Sequence, residues 1–184
     1  MRPVPRAMKD DDQLVSQYLR TGNTGAVKEL LSSYEDRLFR YLWQMLRHRE
    51  DCEDVLQETF RKAIKALPGY RKENHFKSWL FRIGHNCALD VIRRRKRVTT
   101  LDEGQEESLA ATGKGPLEAL AQREKIEALR HAVEELPPAE REVVSLRLQA
   151  DLSFREIAEC MGTPLGTVLA RMHKAKERLR VRLS

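Results

Sequence analysis

Thr167, Arg171, Lys174 and Arg178 recur at intervals of three and four residues, so they share one face of a helix near the C-terminus. Cationic groups in such a row pair with phosphates, and an arginine can read a base edge through two parallel hydrogen bonds. From Thr163 to Ser184 there are six Arg or Lys and one Glu, a net of +5, while the whole chain carries only +6. A second cationic run, Arg93-Arg94-Arg95-Lys96-Arg97, repels itself unless a polyanion relieves it. Upstream of it a polar loop, Tyr70 to Lys77, contains Arg71, Lys72, Glu73, Asn74 and His75. Tyr70, Phe76 and Trp79 flank that loop, and aromatic faces beside a cationic groove suit the unstacked bases of single-stranded nucleic acid. Trp79 at helical spacing with Ile83 also suits a core.

Other reactive groups point to less. Glu50, Asp54 and Glu58 are spaced by four on one helix, and three carboxylates can bind Mg²⁺. That pattern leaves a metal-dependent nuclease as an alternative, but no partner base and no second ligand cluster accompany it. His85 and Cys87 are two ligands, too few for zinc, and no cofactor is implied. Cys52, Cys87 and Cys160 are odd in number and far apart, which predicts reduced thiols in a cytoplasmic protein. No apolar run is long enough for membrane insertion, and no secretory segment follows Met1. A pI near 9.4 favours a polyanionic partner.

The elements that must position these groups read as helices. Charged residues make up 34% of the chain, and Gly and Pro are sparse, which predicts an all-α fold. Ser153 followed by Glu156 is a capping box, so a helix starts near Phe154. Gly162 can end it in the left-handed conformation. Thr163 can cap the next helix, with Pro164 in its first turn. Val168, Met172, Ala175 and Leu179 then form an apolar stripe opposite the basic face. Together these describe a helix-turn-helix whose second helix suits a DNA major groove. Earlier, a helix is expected from about Gly25 to Arg47 and another from near Asp51, with Val55, Leu56, Phe60, Ala63, Ile64 and Leu67 inward. A third runs from about Lys77 to Arg95, with Trp79, Leu80, Ile83, Cys87 and Val91 inward. Residues 1–12 are expected to be frayed. Thr99 to Pro116 is acidic and glycine-containing, and is expected to be a flexible linker. A helix resumes around Leu117 with Ile126, Leu129, Val133 and Leu136 on its face, and Pro137-Pro138 opens another with Val143, Val144, Leu146 and Leu148.

Both halves resemble one family. Asp51-Cys52-Glu53-Asp54-Val55-Leu56-Gln57-Glu58-Thr59-Phe60 resembles the polymerase-binding motif of bacterial sigma factors. Phe76 to Asn86, with Asp90 and Arg93, resembles the adjacent promoter-melting helix. Leu136-Pro137 through Arg178 resembles the region-four helix-turn-helix. The order and spacing are those of the extracytoplasmic function (ECF) subgroup, over roughly residues 24–182. The resemblance implies two small helical domains: region 2 over 24–97 and region 4 over 117–184, after an N-terminal segment 1–23 and around a linker 98–116. No separately folding N-terminal extension is expected.

The same resemblance implies a non-catalytic, dissociable subunit of RNA polymerase. Asp54, Gln57, Glu58 and Arg61 would meet the clamp helices of the largest subunit, and region 4 the polymerase flap. Lys72, Asn74, His75, Trp79, Arg82, Asn86, Arg93 and Arg94 would capture the minus-ten element of promoter DNA, Asn74 by a base edge. Thr163, Thr167, Arg171, Lys174 and Arg178 would hold the minus-thirty-five element, the threonines by its phosphates. A separate anti-sigma factor is a further implied partner. Leu169-Ala170 stands where the family often has Lys-Ser, and Lys174 and Lys176 where Arg is common. Gly84 stands where Ala is usual, at a small cost in helix stability. The competing reading is a dimeric helix-turn-helix regulator that binds an operator without polymerase. A last expectation is that the two halves fold against each other when free and occlude the DNA-facing surfaces.

Overall fold

Local signals set most helix ends. Gly22 takes a positive φ of 66° and ends the first helix, α1 (Lys9–Thr21). The Asn23 side chain then accepts from the Gly25 amide and starts α2 (Thr24–Leu46). The His48 side chain accepts from Asp51 N–H at the start of α3 (Arg49–Ala66), and Glu50 and Asp51 add negative charge to its first turn. Leu67–Gly69 is a 3₁₀ turn at Pro68. A long helix α4 (Phe76–Val98) follows. Helical residues 128–134 form α5, ahead of α6 (Pro138–Gln149), α7 (Phe154–Met161) and α8 (Leu165–Leu183). This computed structural model describes residues 9–71, 75–98 and 128–183, which form helices joined by short turns with no strand among them. Lys72, Asn74, the acidic linker and the helix start near Leu117 lie outside the described residues.

The front half is a helical bundle. Leu30, Leu38, Tyr41 and Leu42 of α2 are buried with Ala63 of α3 and Leu80, Phe81 and Ala88 of α4. Residues 9–12 differ from the frayed expectation. They belong to α1, which buries Val15 and ties Asp11 to the Tyr34 hydroxyl. Gly84 differs too. A Cβ there would sit 2.9 Å from Leu38 Cδ1 and 3.5 Å from Thr59 Oγ1, so the missing methyl lets α4 cross α2 and α3 closely.

The back half packs α6, α7 and α8 around Val143, Leu146, Ile157, Val168 and Ala175. Three apolar residues assigned to buried faces are exposed: Ile64 at 41%, Leu129 at 40% and Leu148 at 63%. Periodicity marks a helix stripe wider than the surface the neighbouring helices cover. The two halves lie against each other, with α6 on α2 and α7 on α4.

Candidate nucleic-acid and polymerase-binding surfaces

The turn between α7 and α8 is built as its residues dictate. Ser153 Oγ accepts from Glu156 N–H, while the Glu156 carboxylate accepts from Ser153 N–H at 2.8 Å. Glu156 lies below the usual carboxylate pKa range. Burial opposes its ionisation, but the Ser153 donors and the nearby Lys77 and His75 outweigh it. Gly162 has φ 58° and its N–H returns to the α7 carbonyls. Thr163 Oγ1 donates to the Met161 carbonyl at 3.2 Å. This clamps the entry to α8, whose Val168, Met172 and Ala175 face the core.

The opposite side of α8 leaves Thr167 and Lys174 exposed and Arg171 half-buried. Arg178 is exposed like Thr167 and Lys174 but ion-paired. Its Nε lies 3.1 Å from Glu140 Oε2, and Glu140, on α6, is only 7% exposed. Arg182 pairs with Glu135 in the same way. The C-terminal part of α8 is therefore held down on its own domain.

On α3, Asp54 and Gln57 are exposed side by side. Arg61 donates to both oxygens of Glu58, at 2.7 and 2.6 Å, and Lys62 is 3.6 Å away. Those hydrogen bonds hold the Glu58 carboxyl below its ordinary pKa. Glu50, Asp54 and Glu58 do not converge: among the described residues no group of three His, Cys, Asp or Glu is placed to hold a metal. Next to Gln57 runs a groove of about 740 Å³ between α1, α2 and α3. Val27, Leu31, Phe39, Phe60 and Ile64 line it, with Glu35, Asp36 and Glu53 on its rim. The exposed Ile64, misassigned to the core, belongs to this groove.

The minus-ten candidates divide. Phe76 is 2% exposed and belongs to the core, not to a stacking platform. Trp79 is half-buried between Tyr70 and Phe76, with ring centroids 5.1 and 5.5 Å away. Arg82 and Asn86 are exposed one turn apart. Arg93 Nη1 lies 3.5 Å from Asp90 Oδ1, and Arg94 Nε donates to the Asp90 carbonyl. The basic run is not uniformly free: Arg95 donates to the Leu46 carbonyl at 3.0 Å and pairs with Asp51. His75 and Lys77 are engaged across the domain boundary, His75 3.7 Å from Glu156 and Lys77 donating to the Asp151 carbonyl at 2.8 Å. Lys77, Glu142 and Asp151 carry no periodic signal of their own, and only packing brings them to this surface.

Cys52, Cys87 and Cys160 are buried and free. Burial pushes the thiols of Cys52 and Cys160 up to about 12, so neither is a thiolate at neutral pH. No helix among the described residues is long and apolar enough to cross a membrane.

Comparison with known proteins agrees with this division. The family model of Sigma-70 region 2 matches residues 30–98, and that of Sigma-70, region 4 matches residues 126–179. The ECF RNA polymerase sigma factor SigW of Bacillus subtilis is 30% identical over 173 residues, which cover 90% of this chain and 92% of that one. The structure of CnrH in complex with the cytosolic domain of CnrY gives a TM-score of 0.65 at 25% identity, over 95% of this chain and 97% of that one. The sigma factor RpoE of Bartonella quintana, in complex with the anti-sigma factor NepR, shares the fold with a TM-score of 0.70 at 23% identity, over 85% and 95%. With a region-2 bundle and a region-4 helix-turn-helix in one chain, and a relative matched along nearly its whole length, this protein belongs to the ECF RNA polymerase sigma factors.

Proposed function

We propose that the chain is a dissociable, non-catalytic subunit that works in the cytoplasm, binds core RNA polymerase and directs transcription from specific promoters. Region 2 spans residues 24–97 and region 4 residues 117–184, joined by the segment 98–116. The observation that carries the reading is the ordered pair of region-2 and region-4 matches in one chain.

Asp54, Gln57, Glu58 and Arg61 dock on the clamp helices of the largest polymerase subunit. Support comes from the exposure of Asp54 and Gln57 and from the apolar groove beside them. Charge on the rim steers the encounter while apolar area supplies affinity. Glu58 and Arg61 pair through two hydrogen bonds on the same exposed face. Region 4 engages the polymerase flap.

Lys72, Asn74, His75, Trp79, Arg82, Asn86, Arg93 and Arg94 act on the minus-ten element. Trp79 offers a ring face, Asn74 a base-edge contact, and the arginines hold phosphates. Extruding a base costs a few kcal/mol, which a prearranged pocket offsets. Thr163 and Thr167 hold phosphates at the start of α8, and Arg171 and Lys174 reach base edges of the minus-thirty-five element. Arg178 joins them only if it leaves Glu140. A separate anti-sigma factor is a fitting partner, since the sigma factor RpoE of Bartonella quintana occurs in complex with the anti-sigma factor NepR.

The deciding experiment is run-off transcription with purified protein, sigma-free core polymerase and fragmented genomic DNA from the same organism. Discrete transcripts that need both proteins are expected. Absence of transcripts, with salt-sensitive DNA binding by a homodimer, overturns the reading in favour of a dimeric regulator.

A further inference from the structure

The outward side of α8 is apolar on one flank. The buried stripe of Val168, Met172 and Ala175 fixes which way the helix points. At roughly 100° per residue, Gly166, Ala170, His173 and Glu177 stand on the side opposite that stripe, and all four are exposed. Thr167 and Lys174 lie to one side of this line, with Arg171 half-buried beyond them. To the other side lie Leu165 and Leu169, one turn apart and 37% and 45% exposed. That second flank turns cationic only further along, at Lys176 and Arg180.

The difference falls where the helix meets DNA, since a recognition helix reaches base edges with its N-terminal residues. Over those turns α8 presents the Thr167 hydroxyl and the Lys174 ammonium on one flank and the Leu165 and Leu169 side chains on the other. Between them stand Gly166 and Ala170. Gly166 has open space where a Cβ would stand, and Ala170 ends at a methyl, so the backbone of α8 can sit close to the groove floor. From Thr163 to Ser184 there is no Asn and no Gln, the side chains that pair with adenine through two hydrogen bonds. The other major-groove mark of an A·T pair is the thymine 5-methyl, and apolar side chains read it. Packing that methyl on Leu169 also removes from water a leucine that folding leaves exposed.

Glu177 constrains the orientation independently. Its carboxylate stands in the middle of the outward face, 3.4 Å from His173 Nε2. A phosphate backbone crossing there would meet a like charge. The middle of the face therefore follows the groove floor, and the two strands run along the cationic flanks.

We propose that Leu169, with Leu165 and Ala170 beside it, determines specificity in the minus-thirty-five element by packing on thymine 5-methyl groups, and that Lys174 takes an adjoining guanine. Resting on the sigma-factor reading for the placement of α8 on a promoter, this readout adds the base that one flank recognises. Cytosine lacks the 5-methyl and leaves Leu169 against its polar amine edge, so it is disfavoured at the same step.

The test uses the full chain bound to core polymerase. A promoter duplex randomised over about ten base pairs at the minus-thirty-five position, one helical turn, is selected by holoenzyme binding and sequenced. Adjacent A·T pairs beside a G·C pair are expected. Each thymine of the selected duplex is then replaced by uracil, which removes the 5-methyl and keeps every hydrogen bond. Binding is expected to fall about fourfold at one or two positions, the ratio that one buried methyl gives. In Leu169→Ala the same replacement is expected to cost less than about twofold, because the methyl has lost its partner. Leu169 is exposed and alanine is the better helix former, so the variant keeps its fold, which circular dichroism checks. A selected element without A·T pairs, or parent affinity unchanged on every uracil duplex, overturns methyl readout. A uracil penalty in Leu169→Ala equal to that of the parent overturns the role of Leu169. No sequence selected by the holoenzyme, together with no run-off transcript, overturns the sigma-factor reading instead.

Discussion

Glu140, nearly buried on α6, meets Arg178 of α8 at 3.1 Å. The residue that spacing places last on the basic face thereby ties α8 to α6. Arg178→Ala leaves an uncompensated carboxylate between α6 and α8. The expected cost is about 1–2 kcal/mol, between the values for exposed and buried pairs. Urea denaturation measures it, and Glu140→Gln combined with Arg178→Ala should cost less than the sum of the two single changes.

Arg171 has the opposite expectation. Arg171→Ala should leave the denaturation midpoint unchanged and weaken binding of a promoter duplex by the polymerase holoenzyme by about 1–3 kcal/mol, with relaxed discrimination at one base pair. Equal weakening on every sequence assigns Arg171 to a phosphate instead.

Gln57→Ala with Glu58→Ala should weaken core polymerase binding about tenfold without affecting helicity, because both side chains stand on the outside of α3. Pull-down against core polymerase at two salt concentrations reads it. Unchanged affinity removes the clamp assignment.

Gly84→Ala is expected to destabilise the region-2 bundle by about 1 kcal/mol. The gain in helix propensity is outweighed by a Cβ driven to 2.9 Å from Leu38, a fully buried side chain with little room to turn. Leu38→Val in the same chain should recover part of the loss in a thermal melt.

Glu156 has a depressed pKa in the folded state, so its contribution is present above the unfolded carboxyl pKa and is lost as pH falls through the folded value. Stability should therefore drop on the acid side, and Glu156→Gln should flatten that limb. Ser153→Ala, which removes the cap from the other side, should cost about 1 kcal/mol at neutral pH.

Helices, their caps and the helix-turn-helix were legible in the sequence because they obey rules that act over a few residues. The Ser153–Glu156 box, the left-handed Gly162 and the exposure of Asp54, Gln57, Thr167 and Lys174 all follow from spacing of three or four, or from one special residue. What spacing leaves open is which exposed-looking charge finds a partner and which apolar residue finds none. Arg178 on Glu140, Arg95 on the Leu46 carbonyl, Phe76 in the core, and Ile64 and Leu148 in the open are outcomes of how far each neighbouring helix reaches. The contact between the halves is the extreme case. Tyr41 meets Glu142 across 101 residues, and Lys77 meets Asp151 across 74. Residues so far apart share no local constraint, and their meeting is decided only when whole helices pack and the half-buried Glu142 carboxylate must be given its donors.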